Sequence, residues 1–238
     1  MKNKRFKLGE VKTFNKFWFG SCYYHQLYSA VSCIGGNVDE VLLLNLSVPQ
    51  GNFDSKKVVS EINATAFVDY RTKHCNITER KLLKLIAKGI PVIVGVDCYE
   101  MKERTDYYHK THCRHFVMVY GFDFEKKIFN IVDHNYLNDY MFREKEMPFD
   151  ELILANRSYR ECLCVGYMTS CMRVIKNKRA SEEEFYKFIL NKDTLLRGFK
   201  FLFEDLERLK TCLVNNDFNF LLTNADRLIS FFTAMKES

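Results

Sequence analysis

The chain has 238 residues, 47% hydrophobic and 28% charged, with a formal net charge of +6. That composition suits a folded domain that buries a core, and excludes a disordered, collagen-like or low-complexity chain. The basic start "MKNKRFKLGEVKTF" has no apolar stretch behind it, and no run approaches the length of a membrane span, so neither secretion nor a membrane is expected. Nine cysteines form no regular framework, which reads as reduced thiols and a cytoplasmic location.

In chain order, Leu27, Ala30, Val31 and Ile34 fall at helical spacing after Ser21, and Gly35-Gly36 stops the helix. Cys22 therefore lies in a first helical turn. "VDEVLLLNL" (38–46) reads as a short second helix, and "TERKLLKLIAKG" as a third, with Thr78 as N-cap and Gly89 as its stop. Strand signals follow at "PVIVGVD" (91–97), "HFVMVYGFD" (115–123), "KIFNIVD" (127–133) and "LCVGYMTS" (163–170). Helices first and strands later imply an α+β fold.

A different region begins at Ser181, where "SEEEF" is a capping box with Glu184. Beyond it Phe199, Leu202, Phe203, Leu206 and Leu209 make one apolar helical stripe, suited to packing on the domain or to homodimer formation. Residues 181–238 carry eight Lys and Arg against ten Asp and Glu, a net of −2, which leaves +8 on residues 1–180. A positive body favours acidic partners. Nucleic acid is not expected, because no basic-aromatic stripe or nucleic-acid motif is present.

Three residues carry the chemistry. A cysteine opening a helix has its thiolate favoured by the helix dipole and the free N–H groups. His115 starts one strand and Asp133 ends the next. A three-residue turn at Phe124–Lys126 would put both on one face, whereas an even-numbered turn would separate them. A histidine in reach of Cys22 can take its proton, and a carboxylate can orient the imidazole. The order Cys22, His115, Asp133 is that of papain-like enzymes.

The segments "GSCYYHQLYSAVSCIGGNVDEVLLL", "GIPVIVGVDCYEM" and "HCRHFVMVYGFDFEKKIFNIVDHN" resemble the butirosin biosynthesis protein H N-terminal family, over roughly residues 15 to 155. The resemblance implies a papain-like cysteine fold in residues 1–178, with 179–238 as a helical extension. It also implies acyl transfer in nonribosomal natural-product (antibiotic) assembly, as in amide synthetases of the closthioamide type. An acyl group would pass from an acidic acyl or peptidyl carrier protein to Cys22, and then to a small amine. No cofactor is expected beyond the phosphopantetheine that the carrier brings. By position, Cys22 is the nucleophile, His115 the base and Asp133 the orienting carboxylate.

The chain lacks the glutamine that papain-like proteases carry just before their cysteine. Asn15 and Gln26 are then the oxyanion or substrate-binding candidates, and Asp97, ending a strand, a second active-edge carboxylate. "YYHKTHCRH" places His109, His112, Cys113 and His115 together, yet no second ligand pair accompanies them, so no metal is expected. Cys33 and Cys98 read as inert small hydrophobes, and Cys162 and Cys164 as strand neighbours facing one way. A peptidase or thioester hydrolase with the same triad, and a non-catalytic binding protein of the same fold, are the rival functions.

Overall fold

The computed structural model describes residues 4–15, 22–38, 41, 70–134, 141–163, 171–176 and 183. Its elements are β1 (Arg5–Lys7), α1 (Cys22–Cys33), β2 (Tyr70–His74), α2 (Glu79–Ile86), β3 (Val92–Asp97), β4 (Arg114–Asp123), β5 (Ile128–His134), β6 (Phe142–Pro148), α3 (Phe149–Ser158), a π-helical turn (Tyr159–Leu163) and β7 (Cys171–Lys176). Among the described residues the strands form one sheet in the order β2-β7-β3-β4-β5-β6. Every pairing is antiparallel. Helices and an antiparallel sheet make this an α+β chain, as the segregated sequence pattern predicts.

The alternation of side chains explains the layering. Ile93, Met118, Val132, Met172 and Val174 face α1, where Leu27, Ala30 and Val31 cover them. Val92, Val94, Val96, Val117, Val119 and Ile131 face the other way, onto Leu82 and Ile86 of α2 and Leu152 and Ala155 of α3. A central strand buried on both faces must be a continuous apolar run, which is what "PVIVGVD" and "HFVMVYGFD" supply. β4 is long enough to take two neighbours on one edge: its first half pairs with β3, and Gly121–Asp123 pair with β1.

Local chemistry sets the helix ends. The Thr78 side chain accepts from Lys81 N at 3.3 Å, as an N-cap should. Gly89 ends the same segment with φ +80, a left-handed conformation open to glycine at no cost. Gly35 does the same after α1, with φ +63.

Other expectations need correction. Leu163 ends the π-helical turn rather than starting a strand, and the strand beside β3 is Cys171–Lys176; residues 164–170 lie outside the described residues. Cys162 accordingly sits in that turn, exposed. β1, β2 and β6 and helix α3 had no reading in the sequence. Of the helix expected at 38–46 only Val38 and Val41 are described, both helical. The tail stripe and both Ser181 and Glu184 of the capping box also lie outside the described residues. Among the described residues, no helix is long and apolar enough to cross a membrane.

Candidate active site

The first turn of α1 lies over the start of β4. Gln26 Nε2 donates to Phe116 O at 3.1 Å, and the Tyr23 ring meets the Phe116 ring edge-on at 5.7 Å. Those two contacts bring the half-buried Cys22 beside His115, within reach of its imidazole. On its other side His115 Nε2 lies 2.7 Å from Asp133 Oδ1. With Nε2 so engaged, Nδ1 is the ring nitrogen left for the Cys22 sulfur. The backbone N–H of His134 donates to the same Asp133 oxygen at 2.8 Å.

His115 and Asp133 share a face by an unexpected route. The turn between β4 and β5 holds four residues, Phe124–Lys127, and Asp123 Oδ1 accepts from Glu125 N and Lys126 N to close it. An even turn should have placed the two side chains on opposite faces. The register, however, shifts between Val119 and Gly121: Asp123 pairs with Ile128, but Met118 pairs with Val132. Tyr120 is an extra residue in β4, a β-bulge that restores the shared face.

Electrostatics make this an ion pair. Burial disfavours the charged imidazole, but the neighbouring Asp133 charge and then Cys22 outweigh it and raise His115 to about 9. Burial likewise opposes the Asp133 carboxylate, and the His115 charge overcomes it, bringing Asp133 down to about 2. The two shifts agree in direction, as a hydrogen-bonded buried pair requires. The surrounding imidazoles are kept neutral. His134, edge-on to His115 at 4.9 Å, is lowered to about 3 by burial and then by the His115 charge. His25 is lowered to about 3 by burial, with its ring stacked on Phe142 at 4.2 Å.

Asn15, Gln26 and Asp97 occupy other stations. Asn15 donates from Nδ2 to Phe142 O at 3.0 Å and to Thr13 Oγ1 at 3.2 Å, and its Oδ1 accepts from Phe142 N at 2.7 Å. Its amide thus pins the segment before α1 to β6. The Gln26 amide ties α1 to β4. Asp97 is fully buried; its Oδ2 accepts from His112 Nδ1 at 2.6 Å and Ser158 Oγ at 2.7 Å, and its Oδ1 from Tyr99 N and Cys113 N. Burial works against its charge, yet the His112 and Ser158 bonds and the two N–H groups hold it below the usual carboxylate range. Asp97 is the anchor of the loop 98–113, one step along the sheet from the Val96–His115 pair.

The His-rich segment divides among separate partners. His109 stacks on Tyr108 at 4.0 Å, His112 meets Asp97, and His115 meets Asp133. Two groups have ligand atoms within 4.8 Å of one another, Asp97 with His112 and Cys162, and His115 with Asp133 and His134. In the second the charged imidazole has no lone pair to offer, and in the first Asp97 already accepts four bonds.

Two features escaped sequence reasoning. His134 follows Asp133 directly in "IVDHN", and that adjacency was the available signal for its N–H on the carboxylate. Cys98 and Cys113 also face each other, which only the strand register reveals.

Residues 38–134 match the family model described as Butirosin biosynthesis protein H, N-terminal. The matched stretch contains His115 and Asp133, and Cys22 lies ahead of it. Among curated proteins none matches the chain.

Proposed function

We propose, for a chain that belongs through residues 38–134 to the butirosin biosynthesis protein H N-terminal family, a papain-like cysteine acyltransferase that makes amides in natural-product assembly. The observation that carries this reading is His115 standing between the Cys22 sulfur and the Asp133 carboxylate. A free amine or water needs a base, and a thioester needs a nucleophile; this trio supplies both.

In the proposed reaction the Cys22 thiolate, paired with the His115 imidazolium, attacks the thioester carbonyl of an acyl carrier protein. The tetrahedral intermediate collapses with loss of the phosphopantetheine thiolate, which takes the His115 proton from Nδ1. An amine then attacks the S-acyl Cys22 and gives its proton to His115. Cys22 leaves as thiolate, and the amide departs. Asp133 keeps Nε2 protonated and stabilises the imidazolium at each stage. The backbone N–H of Cys22, at the start of α1, is the proposed oxyanion donor. The side-chain donors of Asn15 are held by Phe142 and Thr13, and the Gln26 amide by Phe116, so both act here by positioning.

The +8 charge of residues 1–180 favours an acidic carrier, and the chemistry needs no nucleotide or metal cofactor. A cytoplasmic site of action fits a Cys22 thiol that must stay reduced to take the acyl group. The test presents an acyl group on an acidic carrier protein together with a panel of small amines. Amide formed faster than free acid supports acyl transfer. Free acid released at one rate, with or without amine, would replace this reading with thioester hydrolysis.

A further inference from the structure

We propose that Cys98 and Cys113 are a reversible dithiol–disulfide couple, a modification site for small-molecule disulfides of the glutathione class. Cys98 follows β3 and Cys113 precedes β4. Cys98 opens a single 3-10 turn (Cys98–Glu100) one residue past the Asp97–Arg114 pair that ends the ladder, and its N–H donates to Cys113 O at 2.9 Å, so the two residues lie across from each other. Directly opposed residues of an antiparallel pair have Cα atoms about 4.5–5.5 Å apart. A disulfide spans about 4.4–6.8 Å. Both cysteines are free thiols here, and the Cys113 sulfur lies 3.8 Å from Arg114 O.

The two sulfurs differ in the way an attacking and a resolving thiol should. Cys98 is fully buried, whereas Cys113 is partly exposed. The neighbouring Cys98 thiol lowers the Cys113 thiol first; burial opposes, and Tyr107, Arg104 and His115 lower it further, to about 6. The neighbouring Cys113, with burial, pushes Cys98 up. A thiolate that is accessible and flanked by positive groups is the reactive kind.

In the proposed step the Cys113 thiolate attacks glutathione disulfide, forming a mixed disulfide and expelling one glutathione thiolate. Cys98 then attacks the Cys113 sulfur and expels the second glutathione, its own proton passing to the leaving thiolate. Two cysteine thiols are oxidised and one glutathione disulfide is reduced to two thiols, so atoms and electrons balance. The product would close the ends of the loop 98–113, which Asp97 already anchors. This couple stands whether or not Cys22 is a nucleophile.

The test treats the full-length native chain with glutathione disulfide at neutral pH, blocks residual thiols, and digests with trypsin without reduction. The expected product is peptide 89–102 linked to peptide 111–114, each with one cysteine. In Cys98→Ala, checked for fold by circular dichroism, Cys113 should retain glutathione about tenfold more than in the wild type, because nothing resolves it. An unmodified Cys113, a Cys113 linked to some other cysteine, or equal glutathione retention in both proteins would each overturn the proposal.

Discussion

Tyr120 decides where Asp133 points. As the extra residue of the β4 bulge, it moves the register from Asp123–Ile128 to Met118–Val132, and so turns Asp133 toward His115. The residue that permits the bulge is Gly121. A Cβ there would meet Asn130 Oδ1 and Phe6 O, both at 2.8 Å.

Gly121→Ala should therefore destabilise the protein by roughly 1–3 kcal/mol, since backbone on β1 would have to give way. The denaturant midpoint measures this. Proton titration of His115 by NMR adds a local readout: if the bulge shifts, His115 falls from about 9 toward the value of a free imidazole. An unchanged midpoint and an unchanged titration would show that the strand absorbs the methyl group freely.

Asp133→Asn keeps the shape and removes the charge. His115 then loses the partner that fixes its tautomer, and acyl-transfer kcat/KM should drop by roughly 10²–10⁴-fold. Steady-state kinetics with a carrier-bound thioester checks this. A loss of less than threefold would remove Asp133 from the mechanism.

The same pair makes stability depend on pH. His115 is raised to about 9, so its contribution is complete below the unfolded value, near 6.5, and is lost as pH rises through 9. Asp133 is lowered to about 2, so its contribution is present above the unfolded value, near 4, and is lost as pH falls through 2. Both shifts describe one interaction, of roughly 2–3 kcal/mol, counted once. Unfolding free energy should plateau between about pH 4 and 6.5 and decline on either side. In Asp133→Asn the alkaline decline should shrink; an identical decline in both proteins would contradict the assignment.

Asp97 makes the fourth prediction. Removing an acceptor of four bonds strands His112, Ser158 and two backbone N–H groups, so Asp97→Ala should cost roughly 2–4 kcal/mol. The loop 98–113 should also become the first site of limited trypsin cleavage, at Lys102, Arg104 or Lys110. Resistance equal to the wild type would refute the anchoring role.

Much of this was legible where the determinants are local. Thr78 and Gly89 announce the ends of α2, and the apolar runs of β3 and β4 announce strands covered on both faces. Cys22 at a helix start follows from the spacing of Leu27, Ala30 and Val31. Non-local determinants were not legible. The bulge at Tyr120 depends on how two strands pair, and neither strand encodes it alone. β6, "FREKEMP", buries only Phe142 and Met147 among charged neighbours, so it lacks a strand's apolar alternation and depends on β5 for its form. Cys98 read as inert packing because its partner is fifteen positions away, brought opposite only by the β3–β4 register.

In the proposed reaction Cys22 accepts the acyl group under the control of His115. Intact-mass spectrometry of the wild type and of Cys22→Ala, after brief exposure to a simple acyl thioester, tests it most directly. One acyl adduct is expected on the wild type, none on Cys22→Ala, and discharge of the adduct by added amine. An adduct of equal yield on Cys22→Ala, or none on the wild type with any thioester, would contradict it.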